Sequence, residues 1–124
     1  MEPVPVEIRL RKKSRVLSLS YADGSCYDLG FEYLRVHSPS AEVRGHGPGQ
    51  EILQKGKESV GIDRVEPVGH YAVKLVFDDG HDTGLYTWNY LYELGRDHDK
   101  LWRAYLDRLE ASGYARRPPG SDGS

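Results

Sequence analysis

Apolar and polar residues alternate from the first patterned segment onward: Val6, Ile8 and Leu10 are separated by Glu7, Arg9 and Arg11. A period of two places one apolar face on a half-buried strand. Leu17, Leu19 and Tyr21 continue the alternation, Asp23-Gly24 supplies the backbone freedom of a tight turn, and Tyr27 and Leu29 return the chain. That grammar predicts a β-hairpin. Phe31, Tyr33 and Leu34 then switch to helical spacing over a short stretch that ends near Ser38-Pro39, because a proline disfavours helix at the residue before it.

The second half repeats this order. Ile62 to Val68 reads as a strand, Tyr71, Val73, Leu75 and Phe77 alternate up to Asp79-Gly80, and Leu85 is expected to return along a second hairpin. Thr87 is placed to cap a helix carrying Trp88, Leu91 and Tyr92, with Gly95 as its stop. Asp97 is expected to cap another, in which Leu101, Trp102, Tyr105, Leu106 and Leu109 form one stripe and Gly113 marks the end. A shift of 56 residues matches Leu19 with Leu75, Asp23 with Asp79, Gly24 with Gly80 and Leu29 with Leu85. Two strand, turn, strand, short-helix units follow one another, and we take this as architecture only.

Between the units the pattern breaks. Gly45, Gly47, Pro48, Gly49, Gly56 and Gly61 interrupt a short amphipathic piece at Ile52 and Leu53, which predicts a mobile loop over 43–61. Loops this long inside a small domain are commonly contact surfaces or disordered insertions. Residues 1–5 and 115–124 carry no apolar period and read as tails, leaving one domain over 6–114. The expected fold is α+β in two layers: a mainly antiparallel sheet of about five or six strands built from two β-hairpins, with the C-terminal helices packed on one face. Its expected core is Leu17, Leu19, Tyr21, Leu29, Val73, Leu75, Phe77, Leu85, Trp88, Leu91, Trp102, Leu106 and Leu109.

Composition narrows the class of function. With 124 residues, 38% of them hydrophobic, and a mean hydropathy of −0.64, the chain can bury one core but has no apolar run of membrane-spanning length. A cytoplasmic location is expected. A single cysteine, Cys26, excludes an internal disulfide and any multi-thiolate cage from this chain alone. Cys26 falls in a predicted strand and is expected to be a small buried hydrophobe. Seventeen basic against 19 acidic residues leave no general attraction to polyanions. The basic run Arg9, Arg11, Lys12, Lys13 and Arg15 is read first as the solvated end of a hairpin, with nucleic-acid contact as a third-ranked alternative.

Two stretches carry a more specific signal: the segment from Leu34 to His46, with Ser38-Pro39-Ser40-Ala41-Glu42, and the segment from Tyr71 to Trp88, with Asp78-Asp79-Gly80-His81 followed by Tyr86-Thr87-Trp88. Together and in order they resemble the domain found at the N-terminus of γ-butyrobetaine hydroxylase, which also occurs as a free-standing small bacterial protein. The resemblance covers roughly Val6 to Leu94. In the hydroxylase a separate catalytic domain binds iron and 2-oxoglutarate, so the resemblance implies a non-catalytic module here and no oxygenase activity. Zinc-binding members of the family use Cys-x-Cys-x-x-Cys plus a histidine, positions that fall on Ser38, Ser40, Val43 and His81. Only the histidine is kept, so no cofactor is expected. A similar domain is also found attached to P-loop proteins carrying iron–sulfur clusters, which implies an accessory role near metal-cofactor handling.

Read on their own chemistry, His37, His46 and His81 with Asp78, Asp79 or Asp82 form an alternative oxygen and nitrogen site for zinc or iron, centred on His81. Against it, His-x-x-x-His is absent, and a turn at Asp79-Gly80 with His81 opening the next strand accounts for the same residues. No nucleophile elbow, P-loop or dinucleotide fingerprint is present. Nine tyrosines and two tryptophans serve a core rim or a protein interface. The leading expectation is a binding module for another protein, without membrane or nucleic-acid partners. Its candidate surface is Arg35, His37, Ser38, Ser40, Glu42, Arg44, His46, Asp78, His81 and Trp88.

Overall fold

A computed structural model of the chain describes residues 3–45 and 52–116. Strands β1 (Glu7–Arg11), β2 (Val16–Ser20) and β3 (Cys26–Gly30) form one antiparallel sheet in the order β1-β2-β3. Helix α1 (Phe31–Val36) and the single turn α2 (Ala41–Arg44) follow. Strands β4 (Ile62–Val68), β5 (Ala72–Phe77) and β6 (Leu85–Thr87) form a second antiparallel sheet, β4-β5-β6, and α3 (Trp88–Arg96) and α4 (His98–Ala111) follow. Among the described residues the fold is therefore α+β with six strands, divided into two three-stranded sheets.

The two turns predicted from Asp-Gly are the same structure. In the first, Gly24 at φ +91° donates to the Tyr21 carbonyl at 3.0 Å, Tyr21 N–H donates to the Ser25 carbonyl at 2.9 Å, and the Asp23 carboxylate accepts from Ser25 N–H at 2.9 Å. In the second, Gly80 at φ +89° stands in the same relation to Phe77, Phe77 N–H donates to the His81 carbonyl at 3.0 Å, and Asp79 accepts from His81 N–H at 3.2 Å. Glycine is needed because the turn ends in the left-handed region, and the acidic side chain closes it by capping the next N–H.

Beyond the turns the repeat slips by one. Leu17 pairs with Leu29 in the first sheet, whereas Val73, its counterpart, pairs with Tyr86 in the second. Cross-strand partners share a face, so Tyr86 points into the core with Val73, and Leu85, opposite Lys74, points out. This corrects the expected core: Leu85 is 40% exposed and Tyr86 is fully buried. The extra residue lies between His81 and Tyr86, and His81, expected to open a strand, precedes an irregular segment that reaches β6 only at Leu85.

After the slip the units stay in step and dock reciprocally. Tyr33 of α1 donates its hydroxyl to the Leu94 carbonyl at 2.7 Å, and Tyr90 of α3 donates to the His37 carbonyl at 2.6 Å. Tyr33 and Tyr90 are 57 residues apart, and so are His37 and Leu94. Leu17, Leu19, Leu29, Leu34, Val73, Leu75, Tyr86, Leu91 and Leu94 fill the shared core. A smaller cluster of Val36, Tyr105 and Leu109 seats α4. Trp88, Trp102 and Leu106 are half-buried and belong to the rim.

Thr87 caps α3 as expected, its hydroxyl accepting from Tyr90 N–H at 3.1 Å. Gly95, expected as a stop, lies inside α3. A Cβ there would strike the Tyr27 ring, so the glycine permits close approach of helix and strand. Asp97 stands before α4 without capping it, since its carboxylate pairs with Arg96. Gly113, at φ +82°, does end α4. Cys26 is exposed in β3, not buried.

The described parts of the 43–61 segment are tied down. Ile52 N–H donates to the Val43 carbonyl at 2.8 Å, Tyr105 hydroxyl donates to the Gln54 carbonyl at 2.7 Å, and Tyr114 hydroxyl donates to the Glu58 carboxylate at 2.7 Å. Of the C-terminal tail, residues 117–124 lie outside the described residues, while Arg116 forms an ion pair with Glu32 and stacks over Trp102. In the basic run, Arg15 donates to the Val60 carbonyl and lies over the Phe31 ring, and Arg9 pairs with Glu7 at 3.3 Å.

Candidate functional site

The two stretches singled out by sequence meet in space. Pro39 ends the helical path after α1, and the chain is turned by Ser38, whose hydroxyl oxygen accepts from Ser40 N–H at 3.2 Å. Ser40 then opens α2: its carbonyl accepts from Val43 and Arg44, and its hydroxyl oxygen accepts from Glu42 N–H at 3.2 Å. Against this corner lies the irregular segment 81–84. Gly84 has no room for a side chain, because a Cβ would collide with the Ser38 hydroxyl and come within 3.1 Å of Pro39.

Side-chain hydrogen bonds join the segments. Ser38 Oγ is 2.8 Å from His81 Nε2, with both residues buried. Ser40 Oγ is 2.7 Å from Thr83 Oγ1, and Thr83 donates to Glu42 Oε2 at 2.7 Å. A carboxylate only accepts, so Thr83 spends its proton on Glu42 and must accept from Ser40, which fixes the direction of the chain. His81 Nδ1 is buried without a hydrogen-bond partner and faces Glu42 Oε2 at 3.8 Å. A carboxylate on that side favours the tautomer with the proton on Nδ1, leaving Nε2 to accept from Ser38. Burial, helped by the nearby Arg35 guanidinium, holds His81 below its ordinary value against the opposite pull of Glu42 and Asp79, so the ring is neutral at neutral pH.

Asp79 anchors the other side. Its Oδ2 accepts from Arg35 Nε at 2.9 Å and from Lys57 Nζ at 2.7 Å. Burial raises its pKa, but Lys57, His81 N–H and Arg35 outweigh this and bring it down to about 2. Arg35 also reaches Gln54 at 3.2 Å and lies over the Phe77 ring, which makes this buried cation a brace between the turn and the 52–54 segment. Asp78 brackets Gly61, accepting its N–H at 2.9 Å and donating its own N–H to the Gly61 carbonyl at 2.8 Å.

Of the candidate residues, Arg35, Ser38, Ser40, Glu42 and His81 are brought together, and Asp78 adjoins them. His37 and Arg44 face a neighbouring cavity, where His37 Nδ1 donates to the Tyr33 carbonyl at 2.9 Å and Arg44 lies over the Tyr90 ring. Trp88 lies elsewhere, in the groove between the sheets with Ile8 and Leu10, its indole N–H donating to the His70 carbonyl at 2.7 Å. His46 lies outside the described residues. Thr83, Lys57 and Gln54 were not singled out by sequence. Only the Thr83-Gly84 pair just after the turn offered a signal, as a small residue beside a hydroxyl where the strand was due to start.

Residues 8–92 match the family described as gamma-butyrobetaine hydroxylase-like, N-terminal. The chain belongs to this family. Two solution structures determined by NMR are similar to it: one at 52% identity with a TM-score of 0.82, covering all of this chain and 98% of the other, the second at 50% with 0.79, covering 94% and 86%. A crystal structure of a protein of unknown function of the DUF971 family from Acidithiobacillus ferrooxidans is similar at 47% identity and a TM-score of 0.62, covering 73% of this chain and 91% of that one. No curated protein matches.

The resemblance implies a zinc site in some family members at the positions held here by Ser38, Ser40, Val43 and His81. At the four positions stand two hydroxyls, one imidazole and the buried apolar Val43. Zinc is held by about four donors, chiefly thiolate and imidazole. Ser38 and Ser40 supply neither, and Val43 supplies nothing, so the set does not fit. Among the described residues no group of three or more His, Cys, Asp or Glu side chains is placed to hold a metal ion. Among them, too, no helix is long and apolar enough to cross a membrane.

Proposed function

We propose that this protein is a non-catalytic binding module of the cytoplasm that recognises another protein through the surface where residues 38–45 cross the turn at 78–84. The observation that carries the reading is the Ser40, Thr83, Glu42 hydrogen-bond chain, which ties the exposed Glu42 carboxylate through the exposed Thr83 to the buried Ser40. The side chains with reactive potential, Ser38 and His81, are spent on each other inside the fold, while Glu42 and Asp82 face outward as charges. A charge held in place before binding, as Glu42 is by Thr83, loses little freedom on binding, which favours recognition. The family's association with proteins that handle metal cofactors makes that class the first to try as partner.

The test is cross-linking and capture from cells, followed by reconstitution from purified components. Glu42→Lys and Asp82→Lys should abolish a complex that wild type and the distant Glu7→Lys form equally. Equal capture by all four proteins, or no complex with wild type, would contradict the proposal. A metal site on His81 is the competing reading, favoured by the unpartnered Nδ1. Stoichiometric metal in the purified protein that is lost in His81→Ala would establish it.

A further inference from the structure

Beside the Ser38–His81 network, a cavity of about 270 Å³ opens between the end of α1, α2, the 52–54 segment, α3 and α4. Val36, Val43, Leu53 and Leu101 supply apolar walls. The wall is pinned on one side by the hydrogen bond from Ile52 to Val43 and on the other by the Tyr105 to Gln54 bond. Hydroxyls that line it are already committed: Tyr90 donates to the His37 carbonyl, Tyr105 to the Gln54 carbonyl, and Ser38 is spent on His81. His37 donates from Nδ1 to Tyr33.

That leaves two guanidiniums, Arg44 and Arg108, as the charged groups lining the cavity. Among the described residues no Asp or Glu lines it, and neither arginine has a carboxylate within ion-pair distance. Arg9, Arg35, Arg64, Arg96 and Arg116 are each paired, whereas among the described residues Arg11 and Arg103 share with the cavity arginines the lack of an ion pair. Small-ligand sites are typically apolar concavities of about 300–1,000 Å³ with a few convergent polar groups that set orientation. At about 270 Å³ this cavity lies just below that range, and the charged groups that line it are cations that favour planar anions through charge-assisted hydrogen bonds, Arg44 lying also over the Tyr90 ring.

We infer that this cavity binds a small carboxylate with an apolar body, its chain or ring among Val36, Val43, Leu53 and Leu101 and its carboxylate at Arg44 and Arg108. The site does not depend on the protein-recognition reading, and it holds whether or not a partner protein exists. The same chemistry has two sources: a free short-chain or single-ring acid, or the C-terminal residue of a polypeptide.

Amide NMR of ¹⁵N-labelled protein tests it, with hexanoate and 3-phenylpropionate as probes, hexanamide and 3-phenylpropionamide as uncharged controls, and an acetylated tripeptide ending in Phe as free acid or amide. Saturable shifts at Leu101, Ala104 and Tyr105 are expected for the acids, at least about tenfold tighter than for the amides. Arg44→Gln and Arg108→Gln, both surface changes that leave the amide spectrum dispersed, should each erase most of that preference. Tighter binding of the tripeptide acid assigns the source to a chain end, and tighter binding of the free acids assigns it to a small molecule. Acids and amides binding alike, shifts that never saturate, or a preference unmoved in both arginine variants would overturn the inference.

Discussion

His81 is neutral, buried and joined to Ser38, and its behaviour follows from that setting. Replacing Ser38 by Ala strands the imidazole and the Ser40 N–H together. Urea denaturation should show a loss of about 1–3 kcal/mol, and Ser38→Cys, which keeps the size and a weak donor, should lose less. Burial also depresses the pKa of His37 below 6.5, alongside that of His81. A histidine with a folded pKa below its unfolded one binds fewer protons when folded. Stability is therefore full above about pH 6.5 and falls as pH drops below that value. Asp79 acts at lower pH: brought down to about 2 from an ordinary 3.8, it stabilises above 3.8 and loses that contribution as pH falls toward 2. Stability measured from pH 8 to 3 should decline first through the histidine range and again through the carboxylate range. His81→Gln should shrink the first decline, and a flat profile down to pH 5 would refute the assignment. At this scale Ser38, Ser40 and His81 were legible as a constellation through the family motif. Thr83 was not, because a hydroxyl gains meaning only from the neighbour it meets.

At the scale of elements, alternation and Asp-Gly turns made both hairpins readable, and the Thr87 cap and the Gly113 terminus were readable from position alone. Parity failed at β6. Counting by two from Phe77 through an assumed regular strand puts Leu85 inside, but the extra residue after His81 turns Tyr86 inward instead. That departure from the repeat lies where 81–84 packs on Ser38 and Pro39, so the irregularity and the candidate site coincide. Gly95 was misread for a related reason. A glycine near a helix end usually reports a left-handed cap, and here it reports a neighbouring ring. Gly95→Ala raises helix propensity by roughly 1 kcal/mol yet forces a methyl group into Tyr27. The net result should be destabilisation by about 1–3 kcal/mol in thermal and urea unfolding. An unchanged or raised midpoint would show that β3 can retreat from α3 without cost.

Across the whole molecule, two β-β-β-α units close on each other through matching tyrosines. Tyr33 and Tyr90 each donate to a carbonyl at the C-terminal end of the other unit's helix, Leu94 in the last turn of α3 and His37 at the cap of α1, so the units are expected to unfold together. Tyr33→Phe and Tyr90→Phe should each lower stability by about 0.5–1.5 kcal/mol while a single transition persists by fluorescence and circular dichroism. Two separated transitions would mean that the halves are independent. The sequence displayed the repeat but not its closure, since nothing in a 56-residue shift tells which faces dock. Division of six strands into two sheets was hidden likewise, because strand pairing across units leaves no local mark.

The proposed recognition of a protein needs no metal to hold its surface together. Its most direct test is calorimetric titration of the captured partner into this protein before and after exhaustive chelation. The same affinity is expected in both, and its loss in Glu42→Lys. Binding that disappears on chelation and returns with added metal would contradict it.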